Sequence, residues 1–288
     1  MPRRTRTGFR GARACYDAPR GQNARTPAEV SETHVAERDD GAARPVVAES
    51  TLYVERATTP QAVREAQRLR WQVFAKEMGA RIHSPEHGYD IDAYDDYCVH
   101  ILVRDRITGS VVACARILYD DVARAHQGFY SESEFDLGPI LRAPGRTMEM
   151  GRTCVHADYR RTVTIGLLWT GVARFTDFRN FNRIIGCASI PLEGAGHAEA
   201  WAAYDYLARR CAAPNEFRAQ TRKPLPRPAV PEVEPRIPPL LMAYIRYGAL
   251  LCSEPYWDED FATADLLMML PAENVGPRYL RRYVGTTP

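Results

Sequence analysis

The order of β-rich and amphipathic runs constrains this chain more than any single motif. STLYVERA reads as a short strand, and TPQAVREAQRLRWQVFAKEMG after it as a helix. Thr59 can cap that helix, Pro60 suits its first turn, and Val63, Ala66, Leu69, Val73 and Phe74 recur at helical spacing. Gly79 ends it, and a polar loop fills residues 80–96. YCVHILVRD and SVVACARIL are β-rich and joined by RITG, a hairpin signal. TMEMGRTCVH is a further strand, TIGLLWTGVARFTDFRNFN an amphipathic helix, RIIGCASIP a strand and GHAEAWAAYDYLARRCA a helix. From Pro214 to Pro239 eight prolines fall in 26 residues, so residues 214–239 read as an extended excursion or lid. LLMAYIRYGALL then looks helical, and FATADLLMML reads as a closing strand. This order gives an α/β (α+β) fold, a mixed central sheet flanked by helices.

Composition narrows the setting. Of 38 basic residues only Lys76 and Lys223 are lysine, a bias that weakens any single arginine as a signal. Net charge is +2, so the chain carries no polyanion signature and no nucleic-acid partner is expected. The seven cysteines show no CxxC spacing and sit mostly in apolar runs, as reduced thiols do. No run reaches the roughly 18 apolar residues of a membrane span. Residues 1–48 hold few large apolar side chains and seven arginines within the first 25 positions. They read as a disordered arm, with a transit peptide or an early start codon as alternatives. The folded domain is expected over residues 49–288. A cytoplasmic protein results, with peripheral contact to a membrane surface left open.

Four stretches carry chemistry. YDIDAYDD crowds Asp90, Asp92, Asp95 and Asp96 into one loop. It is either a solvated acidic loop or a site for a cation. It lacks the glycine and distal glutamate of a calcium-binding EF-hand. Glu149 and Arg152 lie three residues apart in a strand, where side chains would point to opposite faces. A β-bulge at Gly151 would bring them to one side. They form either a solvated cross-strand ion pair or a partly buried carboxylate and arginine at the centre of the sheet. Cys98-x-His100 and Cys154-x-His156 could each chelate, but they match no zinc module and are read as core residues. No metal is expected. DYRRTVTIGLLW places Arg160, Arg161, Thr162 and Thr164 before a helix, either as a phosphate site at exposed amides or as an ordinary cap.

Taken in order, LRWQVFAKEMGA, DIDAYDDYCVHILV, GFYSESEFDL, MEMGRTCVHADYRRTVTIGLLWTGV, GCASI, PPLLMAYIRYGALL and WDEDFATADLLMMLP resemble the bacterial L-ornithine Nα-acyltransferases of ornithine-lipid synthesis. That group is often labelled hemolysin-like. The likeness runs from about residue 50 to 285. It implies a GNAT-like acyltransferase fold, distantly similar to the acyl-homoserine-lactone synthases. Their shared pattern of Arg, Phe, two acids, Arg, then Glu-x-x-Arg falls on Arg70, Phe74, Asp92, Asp95, Arg116, Glu149 and Arg152. The synthases' tryptophan has no counterpart, since Trp71 lies on the wrong side of Phe74. Arg161-Thr162-Val163 stands where many relatives carry glycine.

The resemblance implies transfer of a 3-hydroxyacyl chain from the phosphopantetheine of acyl carrier protein to the α-amine of L-ornithine. No cofactor is bound permanently, and a second acyltransferase would act on the product. Glu149 would serve as base, and Arg152 or Arg70 as the fork for the substrate carboxylate. Asp92 and Asp95 would hold the side-chain ammonium; Arg70 and Arg116 could instead hold the acidic loop. Arg160, Arg161, Thr164, Ile165 and Gly166 would meet the acyl donor. The strand of Glu149 would splay from RIIGCASIP to open the donor cleft. Alternatives are an acyltransferase of the same fold for another amino acid, a lactone synthase, or a non-enzymatic membrane-perturbing protein.

Overall fold

The computed structural model describes residues 51–176, 180–193, 196–229 and 233–274. The arginine-rich arm expected over residues 1–48 lies outside the described residues. All elements below belong to the unit Glu49–Pro288.

Strand β1 (Leu52–Arg56) leads into helix α1 (Pro60–Trp71), whose Thr59 hydroxyl accepts from the amide of Ala62. Ala66, Leu69, Val73 and Phe74 are buried along the expected stripe. The chain widens into a π-turn over Gln72–Glu77 and stops at Gly79, whose φ of 74° suits glycine. The hairpin β2 (Val99–Asp105) and β3 (Val111–Tyr119) follows. Then come short helix α2 (Asp120–Ala125), strand β4 (Phe135–Asp136) and helix α3 (Gly138–Arg142). Strand β5 (Thr147–Val155), helix α4 (Thr162–Phe175), strand β6 (Arg183–Pro191) and helix α5 (His197–Cys211) form the centre. Strand β7 (Gln220–Thr221), helix α6 (Pro239–Arg246), strands β8 (Leu250–Leu251), β9 (Tyr256–Asp258) and β10 (Thr263–Pro271) complete the order.

The main sheet runs β1-β2-β3-β5-β6-β10-β8, with β9 also on β10. All its pairs are antiparallel except β5 with β6. The mixed sheet is as the sequence implied. That parallel pair is short: only Thr147, Met148 and Glu149 face Arg183, Ile184 and Ile185. Beyond Glu149 the two strands part.

One face of the sheet, with Ile101, Ala115, Met148, Met150, Ile184 and Met268, is apolar and packs beneath α4, α5 and α6. Gly171 lets α4 lie close, because a Cβ there would stand 2.4 Å from Ile101 and 2.5 Å from Val54. The other face has two apolar clusters, one under α1 with Leu102, Cys114 and Cys154, the other with Leu118, Ile185, Leu267 and Met269. Charged residues fill the seam between them.

Three expectations need correction. Helix α4 begins at Thr162 and ends at Phe175, short of the expected run to Asn182. The LLMAYIRYGALL run is helical only to Arg246: Gly248 adopts φ 83°, and Leu250–Leu251 turns back to pair with β10. The proline-rich stretch is not a free lid where it is described. The amides of Ala219 and Leu225 donate to Cys252 and Pro255 carbonyls, and Leu225 is buried.

Candidate active site

The site begins at a bulge. Cys154 and Gly151 of β5 face Cys114 and Arg116 of β3, so Arg152 and Thr153 together oppose Ala115. Arg152 takes φ 50°, a left-handed conformation unusual for a side chain of its size. The extra residue shifts the alternation, and Glu149 and Arg152 both meet Tyr130. Glu149 Oε2 accepts from the Tyr130 amide at 2.7 Å, while the Arg152 guanidinium lies 4.8 Å from the Tyr130 ring. The bulge is thus centred one residue beyond the expected Gly151.

Arg152 belongs to a network of three arginines and three aspartates. Arg70 grips Asp95 with both terminal nitrogens, at 2.8 and 2.7 Å, and Asp90 through Nε at 2.8 Å. Arg116 Nη1 reaches Asp92 at 2.5 Å and Asp95 at 2.9 Å. Arg152 pairs with Asp90 at 3.2 Å and Asp92 at 3.3 Å. Gln67 adds a donor to Asp95 at 3.0 Å. Burial opposes the charge on Asp95, yet Arg70 and Arg116 hold its carboxyl well below the usual range. Burial likewise opposes the charge of Arg152, and Asp90 and Asp92 outweigh it.

This arrangement revises two expectations. Arg70, 1% exposed, has its guanidinium filled by Asp90 and Asp95 and is not a free fork for a substrate carboxylate. Asp95, 6% exposed, is saturated by two arginines and is not free for an ammonium. Asp92 is more open but already bridges Arg116 and Arg152. Phe74 is buried edge-on against Phe261, which in turn lies beneath Arg152. It supports a wall of the site. The two Cys-x-His pairs do not converge: His100 Nε2 contacts the Asp95 carbonyl, and Cys114 and Cys154 thiols meet at 3.5 Å.

Glu149 sits in a different setting. It is 4% exposed and bound by neutral donors: Tyr130 N, Ser131 N at 2.8 Å and Ser131 Oγ at 2.5 Å. Burial raises its pKa, and these donors only partly offset that. The Ser131 hydroxyl also contacts Cys187 Sγ at 3.3 Å. Cys187 donates in turn to Glu134 at 3.0 Å, and Asp265 on β10 lies beside both. Burial, with the charge of Asp265, pushes Glu134 well above the ordinary carboxylate value. Burial raises Asp265 to about 6. Sequence reasoning did not single out Glu134, Cys187 or Asp265. An acid in the middle of the apolar run FATADLLMML was the available signal.

Where β5 and β6 part there is a small apolar cleft, with a volume of about 30 Å³. Met150, Ile184, Gly186, Met268 and Leu270 line it, with Trp169 of α4 and Tyr244 of α6. Gly186 is required, because a Cβ there would lie 2.3 Å from the Met150 carbonyl oxygen. Cys187, whose thiol bonds to Glu134 in the polar seam, also lines this cleft. Burial raises Tyr244 to about 12, and its hydroxyl bonds to Thr153 in the bulge.

At the start of α4 no side chain caps the helix. The Thr164 hydroxyl turns away and donates to the Tyr159 carbonyl at 2.7 Å. Arg161 is exposed at the N-cap, and Arg160 pairs with Glu77. Ile165 packs against the core, and Gly166 is buried. An uncapped helix start beside basic residues is suited to phosphate.

Residues 69–170 match the acetyltransferase (GNAT) domain family. A solved CoA-dependent acyl-homoserine lactone synthase, with SAM and isopentyl-CoA, shares the fold at a TM-score of 0.50 and 14% identity. That likeness covers 82% of this chain and 90% of the synthase. A mixed sheet splayed beside a buried carboxylate is thus the frame of a GNAT acyltransferase, and the chain is an enzyme of that class. It is 35% identical over 263 residues to an L-ornithine N(alpha)-acyltransferase of Agrobacterium fabrum, covering 82% of this chain and 86% of that protein. It is 37% identical over 237 residues to one of Rhizobium meliloti, covering 76% and 79%. The chain belongs to the L-ornithine Nα-acyltransferase family.

Proposed function

We propose that the protein transfers a 3-hydroxyacyl chain from the phosphopantetheine thioester of acyl carrier protein to the α-amine of L-ornithine. The observation that carries this reading is the likeness to L-ornithine N(alpha)-acyltransferases over most of both chains. The geometry supports it, because an apolar cleft and a polar seam meet where β5 and β6 part. The acyl chain enters at the cleft beside Trp169 and Tyr244, which widens to take it. The α-amine approaches from the seam.

Glu149 takes the proton from the α-ammonium, relayed by the Ser131 hydroxyl that touches it. Its raised pKa suits a base that works near neutral pH. The amine nitrogen then attacks the thioester carbonyl, the C–N bond forms and the C–S bond breaks. The thiolate leaves on phosphopantetheine and takes up the amine's second proton. A strand amide at the splay stabilises the oxyanion. Arg152, wedged between Tyr130 and Phe261 and paired with Asp90 and Asp92, holds the acidic loop against the strand of Glu149. The α4 N-terminus with Arg161 receives the donor phosphate. No covalent enzyme intermediate is needed.

The product is a single-chain amphiphile, which fits release at the inner membrane and further acylation by a second enzyme. Among the described residues no helix is long and apolar enough to cross a membrane. Purified protein, L-ornithine and 3-hydroxyacyl carrier protein should yield lyso-ornithine lipid by mass spectrometry. Equal turnover with acyl-coenzyme A would remove the carrier from the reading. Acylation of other amines in preference to ornithine would remove the acceptor.

A further inference from the structure

Glu134, Cys187 and Asp265 bring one polar atom each to within 4.8 Å of one another. Both carboxylates are nearly sealed, Glu134 at 3% and Asp265 at 5% exposure. Their partners are neutral. Asp265 accepts from the Thr263 hydroxyl at 2.9 Å and from Ser189, the residue opposite it on β6. Glu134 receives the Cys187 thiol on Oε2 at 3.0 Å. Neither acid has a salt bridge among the described residues. The arginine whose charge reaches Asp265 is Arg152, itself held by Asp90 and Asp92.

Two buried acids without a counter-ion are costly unless a cation arrives. A metal ion fits the donor set poorly. It would have to displace the proton of Cys187, whose thiol already donates to Glu134. An ammonium fits better, since it offers three donors and leaves the thiol protonated. Position makes the same choice. Cys187 lines the apolar cleft and touches Ser131, which contacts Glu149. A cation in the acid pair would therefore sit a short aliphatic spacer from an amine held at Ser131. Burial, with the charges of Glu134, Asp258, Asp265 and Asp260, raises the neighbouring Tyr256.

We infer that Glu134 and Asp265 form the pocket for the side-chain ammonium of the amino-acid acceptor and so select a diamino acid. This rests on the acyl transfer to an α-amine proposed above. The acid pair takes the role that the sequence assigned to Asp92 and Asp95, whose charges the arginines have already matched.

Calorimetric binding of ornithine and norvaline to the full chain tests the pocket apart from the reaction. Wild type should bind ornithine more tightly. Glu134→Gln and Asp265→Asn should each weaken ornithine about tenfold to a hundredfold and leave norvaline within about twofold. The same split should appear in KM wherever turnover is seen. Wild type alone supplies a second arm. Asp265 is faced by Glu134, Cys187, Ser189, Thr263, Asp258 and Arg152, and with its pKa at about 6 it loses charge below that pH. Ornithine affinity should fall there and norvaline affinity should not, even if the variants fail to fold. Equal losses on both amino acids, or no preference in wild type, would overturn the pocket. So would a tightly bound divalent metal that disappears in Glu134→Gln. Ornithine binding intact without acyl transfer would instead overturn the reaction and leave the pocket standing.

Discussion

Two clusters of buried acids lie on the same face of one sheet, and only one of them is neutralised. Asp90, Asp92 and Asp95 meet Arg70, Arg116 and Arg152, charge for charge. Glu134, Glu149 and Asp265 meet amides, hydroxyls and a thiol. The first cluster is complete within the fold and holds its parts in place. The second is stable only because neutral donors and raised pKa values soften the burial. A buried charge that the fold leaves unmatched marks where a ligand supplies the match. This accords with the common exchange of stability for function at active sites.

The largest effect expected is on the matched cluster. Arg70→Met would leave Asp90 and Asp95 buried without their main partner, at a cost of about 3–5 kcal/mol. Urea melts should show that loss as a lower midpoint at unchanged slope. Glu149→Gln should cost less stability, since an amide oxygen can still accept from the Ser131 amide and hydroxyl, although its NH2 then faces the Tyr130 amide. It should instead slow turnover by about a hundredfold or more for every amine substrate. A Glu149→Gln enzyme with normal kcat would show that the unmatched cluster is merely structural.

The two clusters should also answer pH in opposite directions. Asp95 has a folded pKa below its unfolded value. Its contribution to stability is present above about pH 4 and is lost as pH falls through the folded pKa. Asp265 is raised to about 6. Its penalty is absent below about pH 4, grows between pH 4 and 6 and is complete above. Asp265→Asn should therefore match wild type in stability near pH 4 and exceed it at pH 8 by about 1–3 kcal/mol. Melting curves at the two pH values decide this. A variant less stable at pH 8 would mean that the Asp265 charge is matched after all.

The sequence shows the first cluster as a loop and the second hardly at all. Asp90, Asp92 and Asp95 stand out because they crowd one polar stretch. Their partners Arg70, Arg116 and Arg152 are distant in sequence, and in an arginine-rich chain no single arginine stands out. Glu149 and the splay were legible because a charge in an apolar strand demands a reason. The freest backbone in that strand is Gly151, so the sequence points to a bulge there. Its actual centre, Arg152, is held at positive φ within a network of contacts to Asp90, Asp92, Tyr130 and Phe261, which are remote in sequence. Glu134 and Asp265 lie on a loop and on the last strand, and only the fold makes them neighbours.

The smallest expected effect lies outside both clusters, at the rim where the donor would dock. Arg160 is already paired with Glu77, and Arg227 with Asp205. Arg161 has no ion pair among the described residues and stands exposed at the uncapped start of α4. A rim charge acts mainly on encounter and is screened by salt. Arg161→Glu should therefore raise KM for 3-hydroxyacyl carrier protein by about threefold to tenfold at low salt, with kcat and melting temperature unchanged. Arg227→Glu should do less, because it removes a charge that Asp205 already offsets. Raising the salt concentration should bring wild type and Arg161→Glu together. If the two stay apart at high salt, Arg161 acts through a close contact with the donor phosphate rather than by attraction at a distance. If they never differ, the carrier approaches from elsewhere, and the α4 N-terminus loses its place in donor binding.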